Sequence, residues 1–266
     1  MALNLLWIVF VVALAACAVG FKKYVYFLSI GYGFAIAAGA IAIGIIFRTR
    51  LSFIPMAQLL LFVAYGARLS GFLVYREIKS ANYRKTLGEA TKTEKPMPIF
   101  VMVAIWVCCA LLYTAQLSPV FYRLFNRVSA SKDAVLPLIG IVLSALGLYL
   151  EAEADDEKTQ QKKKHPDMVA TKGLYKYMRC PNYFGEIVFW TGVFVGSWGA
   201  LRGAGQWIME IIAWICIVFI MFNGAQRLEK RQNSRYGKLP AYKKYVAKTP
   251  IIIPFVPLYH LNKTEE

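Results

Sequence analysis

The chain has 266 residues, of which 58% are hydrophobic and 17% are charged, and its formal net charge is +16. Its mean hydropathy is +0.47. The apolar residues come in long blocks, and the basic residues lie between those blocks. This distribution excludes an ordinary soluble domain and argues against a nucleic-acid partner, because basic loops beside apolar spans are a topology signal. We therefore expect an integral membrane protein whose environment includes membrane lipids.

Seven stretches approach or exceed the roughly 20 apolar residues that a transmembrane helix needs. They are 3–20, 24–47, 52–75, 98–117, 134–150, 181–200 and 206–223. The sequence thus predicts an all-α integral membrane protein with seven transmembrane helices, which we treat as a single polytopic domain over 1–266. A Rossmann domain is not expected, because Gly31 and Gly33 lie inside the second stretch and no strand precedes them.

The Lys and Arg residues concentrate in alternate loops, on one side of the predicted bundle. The positive-inside rule then places the amino terminus outside and the carboxyl terminus in the cytosol. Lys22 and Lys23 follow the first apolar stretch, so we expect it to be retained as a span. The five cysteines show no disulfide framework, and His165 and His260 are solitary, so we expect no metal site.

The third stretch contains the first candidate site residues, Tyr65 and Arg68. An arginine at this depth must face a protein interior or a wet cavity. Tyr65 lies three residues earlier and shares the same helix face. The pattern predicts a phenol and a guanidinium in one cavity. The alternative is that Arg68 only ties helices together, through backbone carbonyls or Glu186. The mixed charges of 76–97 predict a solvated cytosolic connection.

The fifth stretch continues into Glu151, Asp155, Lys158 and Lys162, whose spacing places them on one helix face. That face is acidic near the membrane and basic further out. It suits a nucleotide, because carboxylates accept hydrogen bonds from ribose hydroxyls and lysines neutralise phosphates. The alternative is a helix with i,i+4 ion pairs whose lysines meet anionic lipid.

The stretch 173–186 is where a basic loop re-enters an apolar span. Pro181 is placed to begin a helix, since its missing N–H costs nothing there. Asn182 and Glu186 are four residues apart and share one face. A carboxylate at membrane depth is unfavourable without a partner or a task. The alternative is an interfacial cap in which Glu186 pairs with Arg179 or a nearby lysine.

These motifs together resemble the steroid 5-alpha-reductase-like family of polytopic membrane NADPH-dependent reductases, over the third stretch and nearly all of 140–257. The carboxyl-terminal part of that family is related to the isoprenylcysteine carboxyl methyltransferases. The motifs are Gly173-Leu-Tyr-x-Tyr-x-x-x-Pro-Asn182-Tyr-Phe-Gly-Glu186, Glu151-x-x-x-Asp155, and Ile-Ile-Pro-Phe at 252–255. Tyr65-x-x-Arg68 is similar to the substrate-side tyrosine motif of the steroid enzymes.

The resemblance implies hydride addition from NADPH, bound on the cytosolic side, to the carbon–carbon double bond of a conjugated ketone in a steroid-like, sterol-like or isoprenoid-like lipid. It also implies an active site open to the cytosol, in a bacterial inner membrane or the endoplasmic reticulum. Residues 1–132 would form the substrate side and 133–266 the nucleotide side. No obligatory protein partner is evident.

The resemblance further implies a role for each matched residue. Asn182 and Glu186 would hold the nicotinamide carboxamide, and Tyr65 would bond the substrate carbonyl. The acidic pair at 151 and 155, with Lys162, would contact the ribose–phosphate part. The remaining candidate cofactor-binding residues are Tyr177, Arg179, Tyr183 and Glu229.

Two departures from the steroid enzymes stand out. Lys162 replaces an arginine, and lysine cannot form the bidentate fork. Those enzymes also pair their tyrosine with a glutamate from an early helix, whereas this chain has no acidic residue before Glu77. That leaves Tyr65 and Arg68 as the predicted electrophilic contacts to the substrate carbonyl.

Two alternative functions remain open from the sequence. One is an S-adenosylmethionine-dependent methyltransferase of the isoprenylcysteine carboxyl type, whose motif is Arg-His-Pro-x-Tyr. Here Cys180 replaces the histidine and Asn182 follows Pro181, and the many basic residues nearby suit phosphates better than a sulfonium. The other is a non-enzymatic membrane scaffold whose polar residues only lock helices.

Overall fold

The computed structural model is all-helical, with 79% of residues in helices and no strand within the part of the chain it describes. It describes residues 2–81, 84, 87–88, 97–129 and 131–262, with side chains from residue 5 onward. Much of the predicted cytosolic connection at 76–97 lies outside the described residues. The predicted all-α class is confirmed.

Each predicted apolar stretch overlaps one α-helix, although the helices begin and end at other residues than predicted. The first four are α1 Ala2–Cys17, α2 Ile30–Ile46, α3 Phe53–Lys79 and α4 Ile99–Phe125. The next four are α5 Val135–Lys164, α6 Pro181–Ser197, α7 Ala204–Tyr236 and the short α8 Pro240–Val246. Short 3-10 helices lie between them, including Gly173–Lys176 just before α6.

Four of these helices, α3, α4, α5 and α7, are long and apolar enough to cross a membrane. Shorter apolar helices cover Leu5–Phe21 and Ile30–Ile46. Large apolar side chains on the long helices are exposed, among them Phe53, Val142 and Phe219. Such surfaces suit lipid better than water. The chain is thus a multi-pass membrane protein, while the count of seven spans and their orientation stay predictions.

The chain divides into two compact units. The first comprises Met1–Ile141 and Phe194–Ala213, and the second comprises Val142–Val193 and Trp214–Glu266. The helices α5, α6 and α7 therefore each contribute to both units. The sequence analysis assigned residues 1–132 to substrate binding and 133–266 to nucleotide binding. That assignment of roles stays a prediction.

Small residues bring α2 and α3 close together in the first unit. A Cβ atom built on Gly33 would lie 2.7 Å from the carbonyl oxygen of Gly66. Ser70 donates a hydrogen bond from its Oγ to the carbonyl oxygen of Ile30, at 2.7 Å. Close backbone approach and interhelical bonds of this kind are how membrane helices associate without a hydrophobic driving force between them.

In the second unit, the carboxyl-terminal segment packs against α6 and α7. The buried cluster is formed by Cys180, Ala225, Leu228, Ile251 and Ile252. The backbone N–H of Arg179 also donates to the carbonyl oxygen of Pro250, at 2.9 Å. The start of α6 is therefore fixed by residues that come much later in the chain.

Candidate functional site

The predicted helix start at Pro181 is confirmed, and α6 carries Asn182 and Glu186 on its first turns. Glu186 is 4% exposed, and the Trp190 indole N–H donates to its Oε1 at 3.0 Å. The Oδ1 atom of Asn182 is buried and accepts no hydrogen bond from any described residue. A buried amide oxygen without a donor is unfavourable, so this acceptor suits an incoming N–H group such as that of a carboxamide.

Two glycines bring α5 against α6 beside these residues. A Cβ atom on Gly185 would lie 2.8 Å from the carbonyl oxygen of Gly147 and 2.7 Å from the backbone nitrogen of Glu151. Glu151 is itself buried, as is Asp155 one turn further along α5. Glu151 and Gly185, which are 34 residues apart in the sequence, therefore meet at this helix crossing.

The loop before α6 is seated on α5 through Tyr175. Its hydroxyl donates to the carbonyl oxygen of Ala154 at 3.1 Å, and its own carbonyl accepts a bond from the Tyr245 hydroxyl at 2.6 Å. Burial raises the pKa of the Tyr175 phenol well above its usual value, and the Asp155 carboxylate adds to that rise. Tyr175 is thus a neutral donor that holds the loop near the acidic end of the α5 face.

Lys162 lies at the end of α5 and is already bonded within the second unit. Its ammonium donates to the carbonyl oxygens of Pro166 and Met168, at 2.9 and 2.7 Å, and to the Tyr236 hydroxyl at 2.7 Å. Nearby, Glu157 accepts a bond from the backbone N–H of Leu174 at 2.8 Å. The ribose–phosphate role of Lys162 stays a prediction, and its bonds here stabilise the loop between α5 and α6.

Arg179 forms an ion pair with Glu229 of α7, with 2.9 Å between its Nη2 and the carboxylate Oε1. The two side chains are 3% and 1% exposed. Nη2 also donates to the carbonyl oxygen of Tyr259. Glu229 further accepts bonds from His260 and from the backbone N–H groups of 261 and 262, at 2.9 to 3.1 Å. The pair anchors the carboxyl-terminal segment. That Arg179 and Glu229 also bind the cofactor stays a prediction.

The other predicted cofactor-binding residues lie close by in the same unit. Tyr183 packs against Gly224, where an added Cβ would lie 3.3 Å from the tyrosine ring. Tyr177 is about half exposed, and its ring lies 6.4 Å from that of Phe255. Cys180 is buried, and burial raises the pKa of its thiol to about 12. A neutral, enclosed thiol is a packing group and not a proton-transfer group at neutral pH.

The predicted substrate-side residues belong to the first unit. Tyr65 is completely buried on α3 and its ring lies 5.7 Å from that of Tyr32, edge to face. Arg68 is half-buried, with its guanidinium 5.6 Å from the centre of the Phe72 ring. That Tyr65 and Arg68 act on a substrate stays a prediction.

No group of three or more His, Cys, Asp or Glu side chains is placed to hold a metal ion among the described residues. The donor set near Asn182 and Glu186 is an amide, carboxylates and phenols, and the loop that precedes α6 in the sequence is rich in basic residues. This set fits an uncharged amide head with a ribose and phosphates behind it. The residues present therefore fit a nicotinamide dinucleotide.

Comparison with known proteins supports the resemblance to the steroid 5-alpha-reductase-like family. Residues 10–249 match the family described as "Protein of unknown function (DUF1295)". The chain is 26% identical to "3-oxo-5-alpha-steroid 4-dehydrogenase 1" of Bos taurus over 173 residues, which is 61% of this chain and 58% of that protein. It is 25% identical to "Steroid 5-alpha-reductase DET2" of Gossypium hirsutum over 122 residues, or 45% of this chain and 42% of that protein.

The DET2 protein of Arabidopsis thaliana is likewise 25% identical over 122 residues, covering 45% of this chain and 41% of the relative. The matched part of the chain thus spans about half the length of these curated relatives. No solved structure gives a significant match. The predicted resemblance to the steroid 5-alpha-reductase-like family is confirmed. With nine-tenths of its length matched, the chain belongs to the family described as "Protein of unknown function (DUF1295)".

Proposed function

We propose that this protein is a membrane reductase that uses NADPH to saturate the carbon–carbon double bond of a lipophilic conjugated ketone. The names of the curated relatives, a steroid 4-dehydrogenase and two steroid 5-alpha-reductases, support a reductase of this chemical type. The apolar, membrane-spanning helices support a lipophilic substrate, steroid-like, sterol-like or isoprenoid-like.

The observation that carries the proposal is the meeting of two motifs at the crossing of α5 and α6. The backbone of Glu151 packs against Gly185, the residue that precedes Glu186. The amide oxygen of Asn182 is buried and accepts no hydrogen bond from a described residue. In the proposal, Asn182 and Glu186 bind the nicotinamide carboxamide. Glu151 and Asp155 accept bonds from ribose hydroxyls.

Two of the chain's own residues, Tyr65 and Arg68, act on the substrate in this proposal. NADPH, when bound, supplies the hydride that adds to the β-carbon of the enone, and water supplies the proton that completes the saturated ketone. Tyr65 donates a hydrogen bond to the substrate carbonyl oxygen, where negative charge develops, and so lowers the barrier. Its complete burial keeps that bond away from competing water and makes it stronger. Arg68 supplies positive charge near the same oxygen.

The cofactor is tested by releasing small molecules from the purified protein and identifying them by mass spectrometry. The proposal predicts NADP, whereas S-adenosylmethionine would favour the methyltransferase alternative. Recovery of neither molecule, together with failure to bind added NADPH, would favour a scaffold. The buried Cys180, at the position where the methyltransferase motif has histidine, already weighs against methyl transfer.

The activity is tested by following NADPH oxidation with a 3-oxo-4-ene steroid and, separately, with a prenylated enone. Replacing Tyr65 by Phe removes the donor but keeps the ring. We expect a fall in kcat of about 100-fold or more, as for loss of one oxyanion donor. The exposed Tyr149 on α5 provides a control, and Tyr149→Phe should leave the rate unchanged. Equal rates in wild type and Tyr65→Phe would remove Tyr65 from the proposal.

A further inference from the structure

The carboxyl-terminal segment of the second unit carries a strongly exposed aromatic ring. Phe255 is 87% exposed, a higher fraction than any other large apolar side chain of the described residues. It ends the Ile-Ile-Pro-Phe run and lies in a turn outside the helices. A single exposed apolar residue is ordinary on a protein surface. The backbone and the neighbours of Phe255 therefore have to decide whether its ring has a task.

The backbone of Phe255 adopts a conformation that a bulky residue rarely takes. Its φ is +64°, in the left-handed region, which is unfavourable for a non-glycine residue. The surrounding turn holds it there, since the N–H of Ile251 donates to the carbonyl oxygen of Leu258 at 2.8 Å and the N–H of Val256 to that of Ile253 at 3.4 Å. Residues held in this way cluster at sites that clamp ligands.

A second aromatic ring lies beside Phe255. The ring of Tyr177 is 6.4 Å away, centre to centre, at an interplanar angle of 56°, and Tyr177 is itself 49% exposed. The segments that carry the two rings are joined by the hydrogen bond from the N–H of Arg179 to the carbonyl oxygen of Pro250, at 2.9 Å. The two rings, which we call the aromatic pair, thus form an open π surface on which a planar base can stack.

A cation lies next to the aromatic pair. Lys176 is exposed, and its Nζ atom is 5.8 Å from the centre of the Tyr177 ring. An ammonium group at this place suits a phosphate attached close to a stacked base. Tyr177 also precedes Asn182 by five residues, so their Cα atoms are at most about 18 Å apart. The pair is therefore within reach of the far end of a dinucleotide whose carboxamide lies at Asn182.

We propose that Phe255 and Tyr177 bind the adenine ring of NADPH, and that Lys176 contacts the 2′-phosphate on the adjoining ribose. The inference rests on the proposed function and specifies where the second half of the cofactor binds. It also implies a preference for NADPH over NADH, because NADH lacks that phosphate. The competing explanation is that the two rings lie at lipid headgroups, as interfacial aromatic residues do, and that explanation predicts no effect on nucleotide binding.

The test is a proton NMR titration of adenosine 2′,5′-bisphosphate with the purified full-length protein in detergent. In wild type we expect saturable binding and an upfield shift of the adenine protons, because an aromatic ring stacked on the base shields them. Phe255→Ala should lose most of that shift and bind about 5- to 150-fold more weakly, as for loss of one stack between a base and an aromatic side chain. Tyr177→Ala should also reduce both.

The matched control is Leu239→Ala, which removes another exposed apolar side chain of the second unit and should bind as wild type does. Phe255→Leu keeps an apolar side chain without a π face and should lose the shift, whereas Phe255→Trp should keep it. Lys176→Gln should weaken binding of the bisphosphate about two- to fivefold. It should not change binding of adenosine 5′-monophosphate, which lacks the 2′-phosphate.

The outcomes separate the inference from the proposed function. A wild type that binds NADPH but shows no upfield shift of the adenine protons would overturn the inference and leave the proposed function standing. Equal affinities of Phe255→Ala and Leu239→Ala for the bisphosphate would do the same. Equal affinities of wild type and Lys176→Gln would overturn the phosphate contact. A wild type that binds neither NADPH nor the bisphosphate would overturn both the inference and the proposed function.

Discussion

Gly147 of α5 and Gly185 of α6 lie so close that neither position admits a methyl group. A Cβ atom on Gly147 would lie 2.6 Å from the carbonyl oxygen of Gly185, and one on Gly185 would lie 2.8 Å from the carbonyl oxygen of Gly147. Real Cβ atoms do not approach backbone atoms this closely, so any larger residue must push the helices apart. This contact brings Glu151 beside the first turns of α6.

Replacing Gly185 by Ala should therefore disturb the candidate cofactor site as well as the fold. Overpacking of a tight interface costs about 1–3 kcal/mol, so we expect a lower melting temperature in detergent and weaker NADPH binding. Gly71 on α3 provides the control, because nothing lies within 4 Å of an added Cβ there. Gly71→Ala should leave NADPH binding unchanged. A wild-type melting temperature and affinity in Gly185→Ala would contradict the helix crossing.

Glu229→Gln should release the carboxyl-terminal segment. It removes the charge that balances buried Arg179 and weakens the acceptor used by His260 and the backbone of 261–262. Removing one partner of a buried ion pair costs about 3–5 kcal/mol, because the other charge is left without compensation. We expect a marked loss of thermal stability and new proteolytic cleavage after residue 246, measured by mass spectrometry of the fragments.

Gln226 offers a comparison at the same place, since its exposed side chain also bonds the segment, at the carbonyl oxygen of Leu261, 3.1 Å away. An exposed contact of this kind is worth about 0.5 kcal/mol, so the carboxyl-terminal segment of Gln226→Ala should stay resistant to proteolysis. If Glu229→Gln is cleaved no faster than Gln226→Ala, the anchoring role assigned to Glu229 is wrong.

Cys180 should be unreactive in the folded protein. Burial raises the pKa of its thiol to about 12, so the group stays protonated below that pH. At pH 9, about one molecule in a thousand carries the thiolate, which is the reactive form. Maleimide labelling between pH 7 and 9, read by peptide mass spectrometry, should spare the buried Cys180 until the protein is denatured and modify it afterwards. Labelling of Cys180 at the same rate before and after denaturation would contradict the buried position.

The elements that the sequence predicts correctly depend on local patterns. Apolar length locates the helices that overlap the predicted stretches, four of them long enough to cross a membrane, and the ring of Pro181 marks the start of α6. The continuation of α5 to Lys164 follows from its helical spacing of charges. In contrast, α7 runs on to Tyr236, beyond the predicted end at 223, because a polar helix outside the apolar layer gives no hydropathy signal.

The contacts that build the sites are not local, and sequence patterns do not reveal them. Arg179 and Glu229 are 50 residues apart. The sequence analysis named Glu186 as a candidate partner of Arg179, whereas the structure pairs Arg179 with Glu229 of α7. The helix crossing at Gly185 likewise depends on a second glycine in another helix, which sequence spacing alone does not identify.

The most direct test of the central claim is calorimetric titration of NADPH into the purified protein in detergent. We predict saturable binding to wild type and a loss of affinity of at least about tenfold, or no measurable binding, in Asn182→Ala and in Glu186→Ala. That loss corresponds to about 1.4 kcal/mol, which is within the range of about 0.5–1.5 kcal/mol for one hydrogen bond. Asn223→Ala, whose side chain bonds only the preceding turn of α7 among the described residues, should bind as wild type does. Unchanged affinity in both Asn182→Ala and Glu186→Ala, or a wild type that does not bind NADPH, would contradict the account.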